Sequence, residues 1–193
     1  MIKKEIQDSI NVKQKILNDE SLLKQIEELS DVCLKSLKDG GKIILAGNGG
    51  SFADAQHISA EFTSRYMVER DSLASICLGT NNSAISAIGN DYGYDKVFAR
   101  ELSSIGNKED VFIAISTSGN SKNIFEAVKV ANNKDIKTFV LTGQTGGNIK
   151  DLCECIKVPS LITGRIQESH IMIGHIVCGI VEQEYFKEVR NVL

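Results

Sequence analysis

Five short runs of almost unbroken apolar residues constrain this chain more than any other feature. They are Lys42–Ala46, Leu73–Leu78, Val111–Ile115, Lys137–Leu141 and Cys155–Val158. A strand with one wet face alternates apolar and polar residues; these do not, so both faces are covered, as in a parallel sheet between helices. Helical patterns fall between them, from a glycine-rich loop to about Tyr66 and over Asn82–Ile88, Ile124–Asn132 and Asn148–Leu152. The alternation predicts an α/β fold, a doubly wound five-stranded parallel sheet in the flavodoxin-like order 2-1-3-4-5. Residues 1–39 add N-terminal helices. Ile2, Ile6 and Ile10, then Leu22, Ile26, Leu29, Cys33 and Leu37, keep a 3.6-residue period, with a break at Asn18–Ser21 and a stop at Gly40-Gly41. A long helix runs from Ile166 to about Lys187. The 193 residues suit one domain, 1–193, made of a helical extension (1–39), a sheet core (40–160) and a C-terminal helix (165–188).

Composition excludes several classes. No apolar run approaches the ~20 residues that span a bilayer. The start, MIKKEIQDSINVKQKI, has no apolar signal region, so a cytoplasmic address and no membrane partner are expected. Net charge is −3 with no basic cluster, which speaks against nucleic acid. Cys33, Cys77 and Cys178 sit in apolar runs and read as buried thiols of a reducing compartment. Cys153 and Cys155 have no second cysteine pair with which to build a zinc site. In the last helix Ile166, Ile171, Met172, Ile173, Ile176, Val177, Cys178, Ile180 and Val181 cover most of the circumference, so burial on most faces and helix-to-helix oligomerisation are expected.

Two loops face each other across the topological switch point. "GNGGS" follows strand 1; it fits neither the dinucleotide pattern, because Phe52 stands where a third glycine is needed, nor the Walker pattern, which needs a Lys-Ser/Thr. "ISTSGNS" follows strand 3 and offers Ser116, Thr117, Ser118 and Ser121 at a helix start, a neutral cradle for an anion such as phosphate. Ser121 alone would also serve as an ordinary cap.

Two helices carry the remaining candidates. Asp54, His57, Glu61 and Arg65 fall on one stripe after the first loop, and His57 and Glu61 lie about 6 Å apart along the axis. The stripe is open to two readings, a shared ion or substrate, or a solvated face with a Glu61–Arg65 ion pair. On the last helix, "RIQESHIMIGH" holds Gln167, His170 and His175. His175 among isoleucines is a core histidine or a ligand, and Gln167 stands ~12 Å from it along a straight helix.

Together "GNGGSFADAQHISAEFTSRY", "GNDYGYD", "ISTSGNS", "LTGQTGGNI" and "RIQESHIMIGH" resemble, in order, the phosphoheptose (sedoheptulose 7-phosphate) isomerases of the sugar-isomerase (SIS) domain superfamily. The resemblance covers essentially the whole chain. It implies a homotetramer with active sites at subunit interfaces. It also implies conversion of sedoheptulose 7-phosphate to D-glycero-D-manno-heptose 7-phosphate, the first step toward activated heptose for lipopolysaccharide or capsule. By position it implies that Ser116, Thr117, Ser118 and Ser121 hold the phosphate. Asn48, Gly49, Gly50, Ser51, Arg65, Asn90, Asp91 and Gln167 would line the substrate. Glu61 and His175 would be base and acid, and His57, Glu61, Gln167 and His175 would bind one zinc per subunit. Gly164 departs from the pattern, since some members carry Asp there. A rival class is the non-catalytic SIS protein that associates with a replication initiator; those relatives lack the Glu and His that stand here at 61 and 175. Sugar-phosphate-sensing regulators of the same superfamily usually carry an added DNA-binding domain, for which this sequence has no room.

Overall fold

The computed structural model describes residues 1–187; residue 188, the expected end of the last helix, lies outside the described residues. Helix α1 (Ile2–Leu17) and helix α2 (Glu20–Lys38) part where Asp19 caps α2, its carboxylate accepting the Leu22 N–H at 3.0 Å. The core then alternates as expected. Strand β1 (Ile43–Gly47) leads to α3 (Gly50–Thr63), and β2 (Ser75–Cys77) to α4 (Asn82–Tyr92) and α5 (Val97–Ile105). Strand β3 (Val111–Ser116) leads to α6 (Lys122–Asn133), and β4 (Lys137–Gly143) and β5 (Glu154–Val158) to α7 (Thr163–Tyr185). Short 3-10 turns stand at Tyr94–Lys96 and Gly147–Asp151.

All strand pairs are parallel and the order is β2-β1-β3-β4-β5. Because successive residues of a strand face opposite ways, the sheet separates two cores. Ile43, Leu45, Ile113, Ile115, Phe139 and Leu141 face α2, α3 and α7. Ile44, Ala46, Phe112, Ala114 and Val140 face α5 and α6. β1 ends opposite Ile115, with Gly47 beside it, so the loops after β1 and β3 leave the sheet side by side. That is the switch-point crevice.

Three features differ from the sequence reading. Helix α3 stops at Thr63 instead of about Tyr66, because Arg70 folds back onto its last carbonyls. No element was expected over 97–105, yet α5 is there, with Val97, Phe98 and Leu102 buried; it follows a 3-10 turn directly and has no side-chain cap to announce it. Helix α7 differs only as far as one chain goes: it buries one stripe against α2, α3 and β4 and leaves Ile176 exposed, whereas the expected burial on most faces counted a second copy. All five cysteines are free, and Cys33, Cys77, Cys155 and Cys178 are buried. Among the described residues no helix is long and apolar enough to cross a membrane.

Candidate active site

The loop after β1 turns at Gly49, whose φ of 58° favours glycine, and enters α3 without a side-chain cap. Asn48 and Asn123 exchange amide hydrogen bonds, both of 2.9 Å, which tie this loop to the start of α6. Tyr94 also donates to Asn48, at 3.4 Å. Neither Asn123 nor Tyr94 was legible as a site residue, since each acts only through this long-range contact.

The serine loop gathers its hydroxyls at the start of α6. Ser121 occupies the N-cap position of α6 but makes no capping bond; its hydroxyl instead meets that of Ser116 at 3.1 Å. The plain capping role for Ser121 is therefore not what the structure holds. Gly119 has φ 65°, and a Cβ there would fall 2.1 Å from the Gly146 carbonyl. The "TGQTGGNI" segment thus packs directly under the serine loop. It is pinned there by Ile149 N–H to Gly119 O and Asn148 N–H to Asn120 Oδ1. Thr117 and Ser118 open onto a polar cavity of about 240 Å³ shared with Gln144, Thr145, Ser160 and Thr163. Gly50 and Ser51 begin α3, with Ser51 buried. Asn90 and Asp91 lie apart, on a solvent-facing side of α4, hydrogen-bonded to each other at 2.8 Å. Within this chain they line an open groove that holds none of the other candidates.

The metal-ligand types meet farther along α3. His57 Nε2 and Glu61 Oε1 are 3.0 Å apart, and His57, Glu61 and His175 bring ligand atoms within 4.8 Å of one another. Among the described residues this is the group of three or more His, Cys, Asp or Glu side chains that could hold a metal. Arg65, beyond the end of α3, pairs with the exposed Glu69 at 3.5 Å, so the Glu61–Arg65 ion pair is absent. His57 took that place because α3 ends before Arg65 can join its stripe.

The close approach of α3 and α7 explains the meeting. A Cβ on Gly174 would sit 2.4 Å from Ile58 Cδ1, so any larger residue would have to displace the buried Ile58 side chain for the helices to stay this near. His57 and His175 then pack edge to face, centroids 5.0 Å apart. Asp54, one turn before His57, keeps its Oδ2 buried without a protein partner; burial lifts its pKa, and His57 and His175 pull it back down. Gln167 rests against Gly50, where a Cβ would lie 2.5 Å from its Nε2. That seat is about two turns of α3 from His57, so in this rotamer Gln167 stands apart from the three-residue group. His170, not His175, is the core histidine: fully buried, with Nε2 3.2 Å from the Thr142 carbonyl.

A parallel sheet with hydroxyl-rich loops at its switch point, and a carboxylate beside two imidazoles, defines a phosphosugar-handling SIS domain, and the SIS-domain family pattern matches residues 7–143. The phosphoheptose isomerase of Aneurinibacillus thermoaerophilus is 54% identical over 96% of this chain and 94% of its own. A solved phosphoheptose isomerase from Neisseria gonorrhoeae superposes with a TM-score of 0.87 at 40% identity, covering 94% and 97% of the two chains. One from Francisella tularensis gives 0.89 at 33% identity, covering 94% and 96%. The chain belongs to the phosphoheptose isomerase family of SIS-domain proteins.

Proposed function

We propose that the protein interconverts sedoheptulose 7-phosphate and D-glycero-D-manno-heptose 7-phosphate, a ketose–aldose isomerisation, with residues 1–193 acting as one SIS domain. The observation that carries the reading is the Glu61–His57–His175 group, a base, an acid and a metal-ligand set on two helices pressed together at Gly174.

The reaction moves a proton from C1 to C2 through an enediol. Glu61 takes the C1 proton. His57 engages its Oε1, which leaves Oε2 for the carbon acid. His175 protonates the C2 oxygen as the enediol forms and then accepts the O1 proton as the aldehyde develops. Glu61 returns its proton to C2, so no net proton is gained or lost. Each group supplies a rate factor of ~10²–10⁴. The serine loop, Ser116, Thr117, Ser118 and Ser121, holds the phosphate with hydroxyls and the α6 N-terminus, and Asn48, Gly49, Gly50, Ser51, Arg65, Asn90, Asp91 and Gln167 take the sugar chain.

Two imidazoles and a carboxylate are ligand types that fit zinc, and His57, Glu61 and His175 would hold it once the His57–Glu61 hydrogen bond gives way; Gln167, the fourth by resemblance, sits against Gly50 in this chain and would join from another copy. When bound, the metal would polarise the sugar carbonyl as a Lewis acid.

We read the working form as a cytoplasmic homotetramer. His57 and Glu61 lie roughly 10 and 16 Å along α3 from Gly50, too far for one chain's sugar loop to crowd the acid–base pair. His175 opens instead on a groove of about 530 Å³ lined by Tyr66, Met67, Ile176 and Gly179, with Met67 and Ile176 exposed. A second copy there would cover the apolar residues and bring its own loops to the site. The non-catalytic alternative has no specific observation in its favour.

Glu61→Gln and His175→Gln are expected to assemble normally and to lose at least ~100-fold in turnover of sedoheptulose 7-phosphate. Near-wild-type turnover in either would remove it from the acid–base pair.

A further inference from the structure

His175 is gripped from two sides. The edge of His57 meets it on one, and the Tyr66 ring lies nearly parallel to it on the other, centroids 5.4 Å apart with 15° between planes. Tyr66 reaches that place across Gly179, one turn beyond His175 on α7, where a Cβ would touch its ring at 3.4 Å. The segment carrying Tyr66 has left α3 and belongs to no helix or strand, so something else must fix it.

The fixture is a buried ion pair. Glu182 on α7 is 3% exposed and its partner Arg70 2%, with Nε to Oε2 at 2.9 Å. The Glu182 carboxylate also accepts the backbone N–H groups of Tyr66, Met67 and Val68, at 3.0, 2.8 and 3.1 Å. Arg70 spends its other donors on the carbonyls of Glu61 and Phe62, both 2.7 Å, and of Ser64 at 3.1 Å. Burying two charges is costly unless their hydrogen-bonding capacity is filled, and here it is. One pair thus clamps both the end of α3 that bears Glu61 and the segment that bears Tyr66.

We infer that Tyr66 is a positioning residue for His175, its flat face fixing the plane of the imidazole, with the Arg70–Glu182 pair holding Tyr66 in place. The inference rests on the acid–base reading of His175 given above. A clamp needed only for stability would accept any apolar side chain at 66. A ring in offset-stacked contact does more, since it removes rotation of the imidazole and so aims its nitrogens. Small misalignment of a proton-transfer group is expensive in rate.

The test compares wild type, Tyr66→Phe and Tyr66→Leu as purified. Two quantities are read: steady-state kinetics on sedoheptulose 7-phosphate, and NOEs from the His175 ring ¹H–¹³C signals, assigned by their loss in His175→Gln. Tyr66→Phe keeps the face and is expected to match wild type in both. Tyr66→Leu is expected to lower kcat at least ~10-fold with KM within about twofold, and to change the His175 ring orientation, read as altered NOEs between the His175 and His57 rings. Wild-type kcat in Tyr66→Leu overturns the inference, as does Tyr66→Phe failing like Tyr66→Leu, which would assign the effect to the hydroxyl. Should Tyr66→Leu not fold, Tyr66→Met fills the volume without a flat face and is read the same way. An inactive wild type would overturn the functional reading instead, while unchanged NOEs between the His175 and His57 rings in Tyr66→Leu would overturn only the positioning.

Discussion

Two histidines on α7, five residues apart, have opposite fates. His175 is half-buried between Tyr66 and His57. His170 is fully buried, its Nε2 on the Thr142 carbonyl and its Nδ1 without a protein partner. Burial pushes the His170 pKa down to about 4, against a smaller upward pull from the Thr142 hydrogen bond. The folded value lies below the ordinary 6.5, so the unfolded chain binds the proton first. Its contribution to stability is whole above pH 6.5 and is lost as the pH falls toward 4, at about 3 kcal/mol in all. Urea unfolding at pH 7 and pH 4 should show that loss in wild type and a shallower one in His170→Gln, which keeps a side-chain donor near Thr142. Equal pH dependence in the two would put the acid sensitivity elsewhere. At this scale the sequence shows pairs that share a helix, such as His57 and Glu61, because four residues of helix place them together whatever the rest does. It does not show Tyr66, Asn123 or Tyr94, whose contacts depend on where distant elements come to rest. Isoleucine neighbours also make His175 the natural candidate for the core histidine, whereas His170, after Glu168 and Ser169, is the one buried.

Among elements, α7 is the one whose glycines decide most. Gly164 lies in its first turn with nothing within 4 Å of where a Cβ would stand, and that turn has no acidic residue. Gly174 has Ile58 at 2.4 Å from the same position. Substitutions at the two should therefore act in opposite directions. Gly164→Asp is expected to stabilise by about 0.5–1 kcal/mol, from reduced backbone entropy and a favourable charge at the helix N-terminus. Gly174→Ala is expected to cost about 1–3 kcal/mol by overpacking against α3, despite alanine's better helix propensity. Denaturant unfolding of the two variants checks both signs, and a stabilised Gly174→Ala would mean that Ile58 yields to the added methyl without strain. The sequence marks helix α2 well, because Asp19 is a strong start and Gly40 a strong stop. It misplaces the end of α3, because that end is set by a guanidinium from Arg70 and not by a local stop signal. It misses α5, whose nine residues begin without a cap.

For the molecule as a whole, the apolar strands and the loops between them were enough to order the sheet, since a parallel doubly wound chain has few ways to close. The crevice between "GNGGS" and "STSGNS" followed from that order. What the single chain leaves apart is equally informative. Asn90 and Asp91 on α4, the serine loop, and the His57–Glu61–His175 group occupy three separate places, and apolar side chains at Met67 and Ile176 stay exposed beside the last of them. The proposed tetramer, with neighbouring copies completing each site, would account for both facts. The central claim is the reaction itself, and it is tested most directly by incubating the protein with sedoheptulose 7-phosphate in D₂O and following the sugar by NMR. The account predicts an aldoheptose 7-phosphate product, with deuterium at C2 to the extent that the proton held on the proposed base, Glu61, exchanges with solvent before its return. Unchanged sedoheptulose 7-phosphate under conditions where the protein is folded and assembled would contradict it.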